Sequence, residues 1–247
     1  TPKPSSAASD VYKRQPQGFP LNLHDIPKLT NNIDNKPMKC LHIITPVKDS
    51  IDSTLETVKA IMESDILVPF TYTVYNDFST EENTHRLEEA ARQWNFRLVN
   101  LSDLTDHPSP NYLLVLQTAQ KEAIEADAGL LIVESDVIVK KNTLQSLYNG
   151  ALQQKQCGIA AAVTTDEKGV INYPYLHAKG HENQVYPEKK HCSFCCSLLT
   201  PGLLKAFDFQ TLDPSKNWYD VTISHESLKR GCLLYTSPSP RDRSLSR

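Results

Sequence analysis

The sequence predicts an α/β fold, a mostly parallel β-sheet with helices on both faces. Short β-branched apolar runs alternate with segments of helical periodicity at about 30-residue spacing, the pattern of repeated strand–helix–strand units. The run Leu130-Leu-Ile-Val133 is uniformly apolar, as a strand covered on both faces must be. The chain has 247 residues, 39% of them hydrophobic and 22% charged, enough to bury a sizeable core and unlike a disordered or fibrous chain.

The elements follow in order. Leu41-His-Ile-Ile-Thr45 is short, rich in β-branched residues and closed by Pro46, which reads as a first strand. Ile51, Leu55, Val58 and Ile61 recur at helical spacing, with Ser53 and Glu56 placed as a capping box. Phe70 to Tyr75 is a second strand, and Glu81 to Trp94 a helix with Leu87, Ala90, Ala91 and Trp94 on one side. Phe96 to Val99 is a short third strand. Tyr112 to Ala126 is a long helix, and Gly129 stands where a left-handed cap residue is expected. Beyond the central apolar strand, Asn142 caps a helix reaching Tyr148, and Gly158 to Val163 is another small buried strand.

Both ends read differently. Thr1 to Gln15 is Ser/Ala/Pro-rich and then basic, and Tyr235 to Arg247 is rich in Ser, Pro and Arg. Asp10-Val-Tyr-Lys-Arg-Gln15 can be encoded as GAT GTG TAT AAG AGA CAG. Its reverse complement, read one base out of frame, encodes Cys-Leu-Leu-Tyr-Thr-Ser, which is Cys232 to Ser237. The shared element resembles the transposon end of sequencing-library adaptors. Residues 1–15 and 232–247 are therefore expected to be adaptor-derived tails. Residues 16–39 are an extended lead-in with an Asn-rich patch, and 40–231 a single catalytic domain, expected to be truncated at its C-terminus.

Without the tails the net charge moves from -3 to -7, with 20 Lys and Arg against 27 Asp and Glu. An acidic chain argues against a nucleic-acid binder. No apolar run approaches the roughly 18 to 20 residues of a membrane-spanning helix. Thr1 to Ser9 lacks the apolar core of a secretion signal. Cys40, Cys157, Cys192, Cys195 and Cys196 remain once Cys232 is set aside. An odd number of that kind suggests reduced thiols. The expected setting is cytoplasmic, either free or peripheral to a membrane.

In parallel sheets ligands bind beyond the carboxyl ends of the strands. Thr45-Pro-Val-Lys-Asp49 follows the first strand, Asn76-Asp-Phe-Ser-Thr80 the second, and Glu134-Ser-Asp-Val137 the central one. Side chains two apart in an extended segment share a face, so Glu134 and Asp136 can address one cation. Hard oxygen ligands suit Mg²⁺ or Mn²⁺, with phosphate oxygens completing the shell. The spacing alone fits two solvated loop acids equally well.

Together these strand ends resemble glycosyltransferase family 2, enzymes with the Rossmann-related GT-A fold that bind nucleotide sugars. The carriers are Ile43-Ile-Thr-Pro46, Asn76-Asp-Phe-Ser-Thr80 in place of Asp-Asp-Gly-Ser-Thr, and Glu134-Ser-Asp136 in place of Asp-x-Asp. The likeness runs from Leu41 to about Leu147 and resumes more weakly from Cys192 to Gly231. It implies that Asp77 accepts a hydrogen bond from the nucleotide base and that Pro46, Val47 and Lys48 lie along that base. It further implies that Asp136 is the main metal ligand with Glu134 beside it, and that Ser135 belongs to the nucleotide-sugar site. The implied donor is a nucleotide-diphosphate sugar, a UDP-sugar by preference, and the acceptor is an unidentified hydroxyl. Asp220, within Trp218-Tyr-Asp-Val-Thr-Ile-Ser224, stands where the family places its general base; a helix-capping or first-turn role fits it too.

Several residues depart from the family pattern. Asn76 replaces an acid, Phe78 a glycine, Gln120-Lys121 an Arg-Asn pair, and Tyr219 the acid before the base. Lys48 stands where an aromatic ring often stacks, and could approach a phosphate instead. These changes keep open an inactive nucleotide-sugar-binding module. A sugar-1-phosphate nucleotidyltransferase would want a Gly-rich loop after the first strand, and Thr45–Asp49 has no glycine.

His191, Cys192, Cys195 and Cys196 suggest zinc, yet a strand over His191–Leu199 would put Cys192 and Cys196 on one face and His191 and Cys195 on the other. A buried strand beneath the acceptor site is the expectation there. His177, His181 and His225 read as surface groups and His42 as a satisfied core or edge histidine. Trp218 could line the acceptor pocket or simply pack.

Overall fold

The computed structural model describes residues 38–166, 168–179, 185–237 and 244–246. Residues 1–37, which hold the N-terminal tail and nearly all of the lead-in, lie outside them, as does His181.

Among the described residues the elements run β1 (Leu41–Val47), α1 (Ile51–Met62), β2 (Phe70–Asn76), α2 (Glu81–Trp94), β3 (Arg97–Asn100), α3 (Tyr112–Glu125), β4 (Gly129–Val133) and β5 (Val137–Ile138). Then come α4 (Thr143–Gln153), β6 (Cys157–Ala162), β7 (Thr164–Thr165), β8 (Tyr186–Glu188), β9 (Cys196–Leu199), α5 (Pro201–Ala206), α6 (Tyr219–Lys229), β10 (Leu233–Ser237) and β11 (Ser244–Ser246). An eight-stranded sheet has the order β3-β2-β1-β4-β9-β6-β10-β8, and β5-β11-β7 form a small second sheet. β3, β2, β1 and β4 are mutually parallel. β9 runs against both β4 and β6. The sheet is mostly parallel, as the strand–helix alternation predicts.

Strand alternation sends side chains into two cores. Ile44, Leu130 and Ile132 pack with Val115, Leu116 and Ala119 of α3 and Ile223 of α6. Ile43, Leu131 and Val133 face the opposite way, onto Val58 and Ile61 of α1, Leu87 of α2, and Leu144 and Leu147 of α4. Each fully buried aliphatic chain of this kind contributes ~1.5–3 kcal/mol. The uniform apolarity of β4 is explained by that double cover.

Two local expectations are corrected. The capping box does not form. Helix α1 begins at Ile51, three residues early, and the Ser53 hydroxyl donates to the Ser50 carbonyl at 3.0 Å. Gly129 is not a cap either; the left-handed residue after α3 is Asp127, with φ 49°. Gly129 opens β4, where a Cβ would stand 2.6 Å from Met38 Sδ and 2.9 Å from Leu198 Cδ1. Glycine there answers to packing, not to backbone sign.

Residues 233–237 belong to the terminal segment set aside on sequence, and they form β10, parallel to β6 and antiparallel to β8. Leu-Leu-Tyr-Thr is a run of good strand formers, whichever DNA encoded it. Gly158 lets β6 meet α6 closely. A Cβ there would lie 2.3 Å from Ser227 Oγ and 2.7 Å from Cys232 Cβ.

His42 is buried, with Nδ1 2.9 Å from Thr71 Oγ1 and Nε2 3.2 Å from Glu122 Oε2. Only the first contact is aligned as a hydrogen bond. Arg97 pairs with the same Glu122 carboxylate, to which Tyr75 donates at 3.3 Å. This network ties α3 to β1, β2 and β3.

Replacing Gly158 by Ala is expected to overpack the β6–α6 contact and cost about 1–3 kcal/mol. Chemical denaturation of the variant beside the parent chain measures that loss directly.

Candidate functional site

Because β1, β2 and β4 are parallel, their carboxyl ends meet at one edge of the sheet. Asn76 pairs with Val47 in the β1–β2 register, and the Asp77 N–H continues the ladder to the Val47 carbonyl at 2.8 Å. The loops after these strands are then joined by side chains. Lys48 Nζ donates to the Phe78 carbonyl at 2.8 Å and reaches the Asp77 carbonyl at 3.5 Å. Asp49, at φ 56°, takes the Thr80 N–H on Oδ1 at 2.7 Å and donates its own N–H to Ser79 Oγ at 2.9 Å. The Thr80 N–H bond leads the causes that hold the Asp49 carboxyl below the usual range. Pro46 is half-buried and Val47 buried. The amine of Lys48 is thus engaged with the neighbouring loop.

Asp77 is buried at the mouth of β2. Its Oδ2 accepts from Ser109 Oγ at 2.7 Å and the Asn111 N–H at 2.9 Å, and its Oδ1 from Asn111 Nδ2 at 2.8 Å. A carboxylate offers about four acceptor positions, so one on Oδ1 is left for a ligand N–H. Asp49, Ser109 and Asn111 are the positioning residues that sequence reasoning missed. Their only sequence signal is polarity just after a strand or just before a helix.

The departures from the family pattern find local reasons. Asn76 Nδ2 donates to Thr84 Oγ1 and Asn100 Oδ1, both at 2.9 Å, while its Oδ1 accepts the Ser79 N–H at 3.2 Å. A carboxylate could not make those two donations. Phe78 keeps the left-handed backbone a glycine would supply, at φ 55°, and packs its ring on the α3-side core. Gln120 is buried, donates to the Leu204 and Phe207 carbonyls and accepts the Phe209 N–H, so it fastens α3 to the end of α5. Tyr219 is buried against Tyr112, ring centroids 6.3 Å apart.

Beyond β4 the chain does not stay extended. The Val137 N–H bonds the Glu134 carbonyl at 3.1 Å, closing a turn over Glu134, Ser135 and Asp136. The shared-face argument for the two acids is therefore wrong in detail, yet the turn still brings them together. Burial and then the Asp136 charge push the Glu134 carboxyl up to about 7, with a smaller push from Asp220. Burial also raises Asp136. Among the described residues no Lys or Arg stands among the groups acting on either acid. Glu134 sits opposite Cys195 across the β4–β9 ladder, its N–H on the Cys195 carbonyl at 3.0 Å.

Asp220 lies in the first turn of α6, buried, with its Oδ1 accepting the Val221 N–H at 2.8 Å. The first-turn role and the approach to Glu134 coexist. Half-buried Trp218 is the residue before that helix. Glu134 and Asp136 form one acidic pair, with Asp220 a weaker charged neighbour of Glu134; Asp77 and the Pro46–Asp49 loop form a second group at the same sheet edge.

The zinc combination does not assemble. Cys192 packs in the α3-side core and Cys196 in the opposite one. They do not share a face as a continuous strand would require, because the strand begins only at Cys196. Among the described residues no three His, Cys, Asp or Glu side chains are arranged to hold a metal ion by themselves. The acidic pair nonetheless fits a divalent cation completed by ligand oxygens, being two crowded oxygen donors with unrelieved like charge.

No protein-family model matches the chain, and no curated protein sequence matches it. Solved structures do. Residues 1–349 of Staphylococcus aureus TarS superpose with TM-score 0.60 at 16% identity, covering 83% of this chain and 59% of that one. The same protein with UDP-GlcNAc gives TM-score 0.56. The mannosyltransferase PcManGT from Pyrobaculum calidifontis, solved with GDP-Man and Mn²⁺, gives 0.54 at 13% identity, covering 83% of this chain and 58% of that one. The chain has the GT-A fold. It spans about three-fifths of the length of these neighbours. Among the described residues no helix is long and apolar enough to cross a membrane.

The raised Glu134 carboxyl gives a pH signature. Between its ordinary value, 4.5, and about 7 the folded chain holds a proton that the unfolded chain has released. Stability of the cation-free protein should therefore fall as pH rises through that window. Melting temperatures from pH 5 to 8 should show this slope, and Glu134→Gln should flatten it.

Proposed function

We propose that the chain is a metal-dependent glycosyltransferase of the family 2 type, moving a sugar from a nucleotide-diphosphate sugar to an acceptor hydroxyl with inversion. The observation that carries this reading is the crowded pair Glu134 and Asp136 at the carboxyl end of β4 in a GT-A fold. Structural neighbours solved with UDP, UDP-GlcNAc and GDP-Man support a nucleotide-sugar donor. A UDP-sugar is the favoured choice.

Asp136 and Glu134 would hold Mn²⁺ or Mg²⁺, as the Mn²⁺ complex of one neighbour suggests. When bound, such a cation neutralises charge on a departing nucleoside diphosphate. The open acceptor position on Asp77 would take an N–H of the base. Pro46 and Val47 would border the base, in a loop kept in place by Lys48 and Asp49. Ser135, at the corner of the acidic turn, would adjoin the diphosphate. Asp220 would remove the proton of the attacking hydroxyl.

The inactive binding module was suggested by Asn76, Phe78 and Tyr219. Each of these residues also has a local structural role.

Hydrolysis of UDP-GlcNAc and GDP-mannose with Mn²⁺ tests the proposal. The intact chain should turn over one of them, and Asp136→Ala should lower that rate about 100-fold or more. Equal turnover in the two proteins overturns the metal assignment. Absence of nucleotide binding in a thermal-shift series of UDP-, GDP- and dTDP-sugars overturns the donor assignment.

A further inference from the structure

Glu134 stands where the family motif has an aspartate, and it is longer by one methylene and one torsion. A longer carboxylate has more rotamer freedom to lose when it holds a cation, so its direction needs a second hold. The strand register places Cys195 where that hold is wanted. β4 and β9 are antiparallel with Val133 opposite Cys196, and the ladder continues by one step as the Glu134 N–H meets the Cys195 carbonyl at 3.0 Å. Residues directly opposite in such a pair put their side chains on one face, with Cβ atoms ~4.5–5.5 Å apart. The Cys195 thiol accordingly hydrogen-bonds the Glu134 side chain. An ionised carboxylate can only accept, so the S–H donates.

The thiol is itself fixed. Cys195 is half-buried, and its Sγ lies 3.1 Å from Ser193 Oγ, which also takes the Cys195 N–H at 3.3 Å. Ser193 is anchored in turn. Its N–H bonds the hydroxyl of fully buried Tyr175 at 2.8 Å, and its carbonyl accepts from Ser197 Oγ at 2.6 Å. Polar order thus runs from the core through Ser193 and Cys195 to Glu134. Asp136 is close enough for its charge to act on the same thiol, so the sulfur stands beside both acids of the pair. Among the described residues no three such side chains are arranged to ligate a metal by themselves, which gives the thiol a role through Glu134 and not as a ligand.

We infer that Cys195 is a positioning residue for the cation: its thiol, held by Ser193, fixes the direction of the Glu134 carboxylate beside Asp136. A carboxylate has two oxygens, so the one not bonded to the thiol stays available to the ion. Hydrogen-bonded partners of ligating side chains support metal affinity in this way. The inference rests on the proposed cation site and adds to it a residue some sixty positions beyond the acidic motif.

The test measures Mn²⁺ binding by the full chain with UDP or GDP present, through the electron paramagnetic resonance signal of free Mn²⁺, and so does not depend on turnover. Cys195→Ala should raise the Mn²⁺ dissociation constant about 3- to 10-fold, at the low end for such partners because S–H is a weak donor. Cys195→Ser, whose O–H donates from the same place, should stay within about twofold of the parent. Equal Mn²⁺ affinity in Cys195→Ala and the parent, with Glu134→Leu weakened, overturns the inference and leaves the cation site standing. With Co²⁺ in place of Mn²⁺, a sulfur-to-metal charge-transfer absorption that Cys195→Ser abolishes makes Cys195 a ligand and overturns the positioning role as well. Should Cys195→Ala not fold, the infrared S–H stretch of the parent decides. Glu134→Leu should shift the Cys195 band to higher frequency by removing its acceptor, and S–H bands identical in the two proteins overturn the inference. A parent chain that binds no Mn²⁺ with either nucleotide removes the cation reading and this inference together.

Discussion

Two carboxylates forced together at the end of an apolar strand are the constraint on which the rest of this molecule turns. β4 is covered on both faces, so the chain leaves it inside a low-polarity edge and turns at once through Glu134, Ser135 and Asp136. Taking a carboxyl out of water disfavours its charged form, and a second one beside it disfavours it again. Among the described residues no lysine or arginine is one of the groups acting on either acid. A fold stable for structural reasons alone has little cause to keep such a pair. The proposed cation, carrying its own phosphate ligands, would resolve the conflict.

Around that pair the sheet edge is stiffened by polar contacts between loops that are distant in sequence. Asp49 fastens the β1 loop to the start of α2 through main-chain and side-chain bonds. Lys48 reaches the carbonyls behind Asp77, and Asn111 and Ser109 grip the Asp77 carboxylate itself. These bonds leave Asp77 oriented with one acceptor position open. Preorganisation of this kind lowers the ordering cost of binding a nucleotide. The same economy of roles appears in Gln120, which closes α3 onto α5 and so braces the core beneath α6.

Much of the architecture was legible beforehand. Helix α2 runs from Glu81 to Trp94 as its periodicity indicates, and β1, β2 and β4 begin and end within a residue or two of the expected limits. Apolar periodicity reports burial, and burial is what strands and amphipathic helices share along their whole length. Errors gathered where a residue type serves two purposes. Gly129 suited a helix cap as well as a crowded strand start, and Ser53 suited a capping box as well as a bond back to Ser50. Cys192 and Cys196 looked like neighbours on one face because a single strand was assumed where a buried loop intervenes.

The linear order of residues by itself settled the layered α/β plan and the presence of acids after β4, since both depend on short-range pattern. It also determined which positions depart from the family motifs. Only the tertiary structure decided that Glu134 and Asp136 meet through a turn, that Asp220 comes within electrostatic reach of Glu134 from a helix some eighty residues later, and that Asn76 must be an amide. It alone set the Cys195 thiol against the Glu134 side chain. The reason is that periodicity encodes which side of an element is apolar, whereas the partner of a polar atom is set by loops meeting across the sheet edge, and no local repeat records that encounter.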